Sequence, residues 1–141
     1  MPRVRIDLPE TFLFSTEITV RVTDLNYGAH LGNDAMLSLV HEARVQFLRA
    51  NGMDEKDAGG ASIIMTDAAI VYRAEAFGGD TLRFDVTIGD LSRAGCDLLY
   101  RVTRVVDGRR VAEVKTGIAF LDMQTRKLIA VPDAIRRLAS A

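Results

Sequence analysis

Between Arg21 and Asp34 the chain reads Arg-Val-Thr-Asp24-Leu-Asn26-Tyr-Gly28-Ala-His30-Leu31-Gly32-Asn33-Asp, and Glu42 follows in the next segment. A carboxylate, an amide and an imidazole in one short loop, delivered to the start of a helix, suit hydrolysis of an activated carbonyl. That reaction needs a base for water and a seat for the developing oxyanion, and unpaired N–H groups at a helix N-terminus offer the seat. Asp24 and His30 are the candidate bases; an imidazole with an ordinary pKa near ~6.5 suits neutral pH. Asn26 can orient a water but cannot take its proton. Gly28 and Gly32 permit close backbone approach to a substrate, and the N–H groups of Leu31, Gly32 and Asn33 are the expected oxyanion donors.

Each of these residues also has a plainer role. Asp24 can hydrogen-bond turn amides, His30 can be structural, and Asn33 can cap the helix. Glu42 can pair with Arg44, Arg21 or Arg73, since buried carboxylates are usually partnered; it stays a further catalytic candidate. His30, His41, Asp24 and Glu42 match no familiar metal-ligand spacing, so no metal is expected. Cys96 is the only cysteine, which rules out an internal disulfide and a cysteine-rich metal site. It falls in a strand-turn region far along the chain from the loop, so a thiol nucleophile has little support.

The elements that must position this loop form an α+β order. Residues 16–22 alternate polar and apolar as a half-buried strand does. A helix is expected over 34–50, with Asn33 as its N-cap and Asn51-Gly52 as its stop. Its apolar residues cover most of the circumference, as in a helix wrapped on several sides. Strands are expected over 61–73, 81–91, 96–106 and 110–121, with Leu82, Phe84, Val86 and Ile88 facing inward. Asp107-Gly108 signals a type I′ hairpin, and Pro132 opens a short helix over 132–139. A single helix covers one face of such a sheet, and its edge strands need partners or protection, so a homo-oligomer is expected.

Composition sets the outer limits. The 141 residues suit one domain, 1–141, with a real core, and 48% hydrophobic with 26% charged residues is ordinary globular usage. A net charge of −1 argues against a nucleic-acid partner. The first residues lack the apolar stretch of a secretory signal, and no run approaches the ~18 apolar residues of a membrane span. A soluble cytoplasmic protein with no membrane partner is the expectation.

Several spaced landmarks converge: Arg21-x-x-Asp24-x-Asn26-x-x-x-His30-x-x-Asn33, then His41-Glu42-Ala43-Arg44-Val45-Gln46-Phe47-Leu48, Val71-Tyr72-Arg73, Gly79-Asp80 and Val131-Pro132. Taken together the set resembles the hotdog-fold acyl-CoA thioesterases of the 4-hydroxybenzoyl-CoA thioesterase type, over nearly the whole chain. The resemblance implies a five-stranded antiparallel sheet wrapped around a long central helix, subunits paired as a homodimer or homotetramer, and active sites at the subunit interface. It implies hydrolysis of acyl-CoA or acyl-carrier thioesters, with coenzyme A as part of the substrate and no separate cofactor. It also implies that Arg93, at the Ser92-Arg93-Ala94 turn, meets the nucleotide phosphates; the plainer reading of Arg93 is a solvated turn residue.

The chain departs from the family at one position. The family pattern carries Asp-x-Asp before the helix, with the second Asp catalytic, and here that position is Asn26. Asp24, His30 or helix-borne Glu42 must then supply the base, or catalysis is lost. Two rival readings follow. Asp24-Leu-Asn26-Tyr-Gly-Ala-His30 has a faint likeness to the hotdog enoyl-CoA hydratase motif, without its proline and with the histidine one residue too far. A non-catalytic acyl-CoA-binding protein is the other.

Overall fold

The computed structural model describes residues 2–141. Its elements are β1 (Phe14–Thr19), α1 (Asn33–Ala50), β2 (Ala61–Tyr72), β3 (Thr81–Leu91), β4 (Gly95–Arg104), β5 (Arg110–Asp122) and α2 (Asp133–Ala139). All five strands join one antiparallel sheet in the order β1-β3-β4-β5-β2, leaving β1 and β2 as its edges.

Period-2 patterning places the core as expected. Leu82, Phe84 and Val86 of β3 meet Leu98, Tyr100 and Val102 of β4, all buried, with Ile88 partly buried against them. From α1, Met36, Leu39, Val40, Ala43 and Phe47 enter the same core at the spacing of one helical face. The helix is therefore one-sided rather than enclosed: Leu37 is 41% exposed, and His41 and Glu42 face solvent. The apolar count around α1 overstated its burial because the sheet covers one flank only.

Element ends differ from expectation wherever a side chain captures backbone. β1 stops at Thr19, and the chain enters a 3-10 turn at Val22–Asp24 because the Asp24 carboxylate takes the Arg21 N–H at 2.8 Å. β4 ends at Arg104, whose guanidinium is held by Asp107 across the turn. That turn is not type I′: Gly108 has a positive φ of 70° but Asp107 does not, and the Gly108 N–H closes on the Arg104 carbonyl instead. Asn33 is the first helical residue and not a cap; Gly32 occupies the N-cap with no side-chain hydrogen bond. Pro132 likewise stands just outside α2, as its N-cap.

The outer face of the sheet carries charge pairs among a few apolar residues such as Val71 and Leu99. Arg101 reaches Asp85 at 3.0 Å, and Arg73 and Arg110 share Glu113. The N-terminal segment crosses this face, with the Phe12 ring 4.4 Å beneath the Arg101 guanidinium. No helix among the described residues is long and apolar enough to cross a membrane.

Candidate active site

The loop from Asp24 to Gly32 is a tight hairpin built on its own backbone. The Asn26 N–H reaches the His30 carbonyl at 2.8 Å, and the Gly32 N–H reaches the Asp24 carbonyl at 2.9 Å. Ala29 sits at its tip with φ 61°, in the left-handed region. Asn26 braces the turn from inside: its Oδ1 accepts the N–H groups of Gly28 (2.9 Å) and His30 (3.2 Å). The amide oxygen is thus occupied, which leaves the NH2 group as the free end of this side chain.

Where this hairpin meets the end of β2, it encloses a cavity of about 470 Å³. The loop contributes Asn26, Gly28, His30 and Leu31; the start of α1 contributes Asn33 and Met36. The opposite wall is formed by Tyr72 to Ala76, with Val111 of β5. Met36, Ala76 and Val111 are each at most 2% exposed, so the floor is closed and apolar while the mouth is polar.

His30 lies at that mouth with its side chain 32% exposed. Its ring stands 4.9 Å from the Phe77 ring, and Nδ1 lies 3.1 Å from Glu75 Oε2. Of the three expected oxyanion donors, Leu31 spends its N–H on Ala76 (2.8 Å) and Gly32 on Asp24. Asn33 N–H has no acceptor among the described residues, as expected for the first turn of a helix without a side-chain cap. The Tyr72 hydroxyl donates to the Asn33 carbonyl at 2.9 Å, tying this helix start to β2. Burial, with Asp34 nearby, raises the Tyr72 pKa, so the hydroxyl stays a neutral donor.

The remaining predicted residues lie elsewhere. Asp24 is 5% exposed and outside the cavity; Arg21 holds it at both oxygens, each at 3.1 Å. These hydrogen bonds, opposed by burial, keep its carboxyl below the usual range, which makes it a weak base. Glu42 is exposed in a groove between β1 and α1 and accepts from Gln46 at 2.6 Å. It bridges none of its expected arginines, because Arg44 pairs with Glu55, Arg21 with Asp24, and Arg73 with Glu113. Arg93 is exposed at the β3–β4 turn. Strand register puts that turn at the opposite end of the sheet from the cavity, since Gly95 pairs with Ala119 while Tyr72 pairs with Ala112. Burial pushes the Cys96 thiol up to about 12, which suits an inert core residue. No group of three or more His, Cys, Asp or Glu side chains poised to hold a metal occurs among the described residues.

Sequence reasoning gave no role to Tyr72, Glu75 or Phe77. Val71-Tyr72-Arg73 stood out only as a family landmark, and nothing in a linear reading pairs Glu75 with a histidine so far upstream.

The site is thus a helix start without a side-chain cap beside a half-apolar cavity, with a histidine at the rim. The chain belongs to the thioesterase-like superfamily, whose family model matches residues 20–138. Its architecture is the hotdog fold. Among solved structures it is similar to the 1,4-dihydroxy-2-naphthoyl-CoA thioesterase of Synechocystis, at 20% identity and TM-score 0.81 over 90% of this chain and 95% of that one. It is also similar to the DHNA-CoA thioesterase of Staphylococcus aureus, at 18% identity and TM-score 0.73 over 82% and 78%. A gentisyl-coenzyme A thioesterase matches at 14% identity and TM-score 0.77, over 89% and 99%. No curated protein sequence matches the chain.

Proposed function

We propose that this protein hydrolyses acyl-CoA or acyl-carrier thioesters, with His30 as the general base. One observation carries this reading: His30 shares a cavity with Asn33, the first residue of α1, whose N–H has no acceptor among the described residues. A thioester carbonyl seated against that N–H would have its oxygen in the positive field of the helix end. Water held at the mouth attacks the carbonyl carbon while His30 takes its proton. The resulting oxyanion rests on the Asn33 N–H. Collapse breaks the C–S bond, and the imidazolium returns the proton to the departing thiolate, giving a carboxylic acid and a free thiol. Asn26 keeps the loop in shape through its oxygen and offers its NH2 group to the water or the substrate. Coenzyme A enters as part of the substrate, and the mechanism requires no other cofactor.

A homo-oligomer is part of the same reading. β2 runs 12 residues along a sheet edge, and Met65 to Ala68 are exposed there. A second copy pairing antiparallel along this edge would carry its own Ser92–Arg93 turn toward this cavity, giving Arg93 the phosphate contact it lacks within one chain. Thiol release from short, long and aromatic acyl-CoAs tests the activity. Release from at least one is expected; saturable binding without release, or hydration of crotonyl-CoA without release, would overturn the proposal.

A further inference from the structure

We infer that Glu75 is a positioning residue for His30, fixing which ring nitrogen carries the proton. The inference rests on the proposed role of His30 and names the residue on which that role depends.

A neutral imidazole carries its proton on one nitrogen and a lone pair on the other, and the group that faces one nitrogen biases the arrangement. Glu75 Oε2 lies 3.1 Å from Nδ1. The contact lacks the alignment of a formed hydrogen bond, but an ionised carboxylate this close offers only lone pairs, which favours the proton on Nδ1 and leaves Nε2 the lone pair a base needs. Nε2 points to the Gly28 side of the loop: a Cβ added at Gly28 would stand 3.4 Å from Nε2 and 3.0 Å from Cδ2. Both Gly28 and His30 line the cavity. With Phe77 against the ring and Asn26 holding the His30 backbone, the imidazole is bounded on several sides.

Glu75 is itself anchored, although its side chain is 67% exposed. Its carbonyl accepts from Arg104 Nη1 at 2.8 Å, and Arg104 is clamped in turn by Asp107. Two residues on, the Phe77 N–H is taken by Asp80 at 2.9 Å. With the Ala74 N–H on the Val111 carbonyl at 3.2 Å, the backbone carrying the carboxylate is held on both sides of Glu75. An ion pair this exposed adds little to folding. Its effect falls on proton placement: the carboxylate favours Nδ1–H in the resting ring and faces the imidazolium when His30 has taken the proton.

The test compares wild type, Glu75→Ala, Glu75→Gln and His30→Ala by kcat and KM for thiol release. It adds 15N NMR of the histidine ring nitrogens at a pH where the ring is neutral, with His30→Ala identifying the His30 signals. In Glu75→Ala, kcat is expected to fall at least about tenfold, a part of the roughly 10²–10⁴ a general base supplies. KM and the thermal midpoint should hold, and the Nδ1–H tautomer should lose population. Glu75→Gln, which keeps a neutral acceptor, should recover part of both. Wild-type kcat in Glu75→Ala, or an unshifted tautomer, overturns the inference. Full activity in His30→Ala would instead overturn the base assignment, and the tautomer signal then decides by itself whether Glu75 holds the ring.

Discussion

Asp24 and His30 are close in sequence but face different surroundings, and this decides what each can do. Asp24 gives its oxygens to Arg21 and lies outside the cavity; His30 stands at the cavity mouth. The Asp24 carboxyl titrates below its ordinary value of ~3.9. Its stabilising contribution is therefore complete above that ordinary value and is lost as pH falls through the depressed one. Asp24→Asn should lower stability at pH 7 by about 1–3 kcal/mol, as expected for hydrogen bonds lost at a buried site. Denaturant melts as a function of pH should show that gap closing below about pH 4. A gap independent of pH would mean the carboxylate is not the stabilising form. At this scale the sequence was informative about residue types and uninformative about who faces whom. A loop of Asp, Asn and His before a helix marked the region. Yet Asn26 spends its oxygen on the turn, and the partners of His30, Glu75 and Phe77, come from the segment after β2, which no local spacing encodes.

Elements were legible where alternation and helical spacing are long, as in β3 and β5, and less so at their ends, where single side chains decide. Asp24 ends β1, Asp107 ends β4, and Gly32 displaces Asn33 as the cap of α1. The same logic shows how α1 is joined to the chain after it. Arg44 is buried on the helix, its side chain 6% exposed, and its Nε donates to Glu55 at 2.7 Å; His41 Nε2 lies 2.7 Å from the other oxygen. Burial alone would raise the Glu55 pKa, but its hydrogen bonds to Arg44 and His41 carry it below the usual range. Glu55→Gln leaves a buried guanidinium with a neutral partner. Removing one partner of such a pair costs about 3–5 kcal/mol, and the low end fits because Glu55 keeps some water contact. Chemical denaturation at pH 7 checks this; a loss under about 1 kcal/mol would mean Arg44 finds another acceptor.

Over the whole molecule, one sheet with one helical layer leaves two strand edges, and the exposed centre of β2 is the stretch least protected against pairing. Sedimentation at micromolar concentration should give at least twice the chain mass, and Ala68→Arg, a charge on that edge, should shift it toward the single chain. A monomeric wild type would contradict the edge-pairing account. The α+β order and the unpaired edges were legible in the sequence; that the cavity and Arg93 fall at opposite ends of the sheet was not, because it follows from strand register. The most direct test of the account is kcat for thiol release on the best acyl-CoA in wild type, His30→Ala and Asp24→Asn, with rates normalised to folded protein. His30→Ala is expected to lose roughly 10²–10⁴ in rate, and Asp24→Asn to turn over near the wild-type rate. Turnover that survives loss of His30 and collapses with Asp24→Asn would contradict the account.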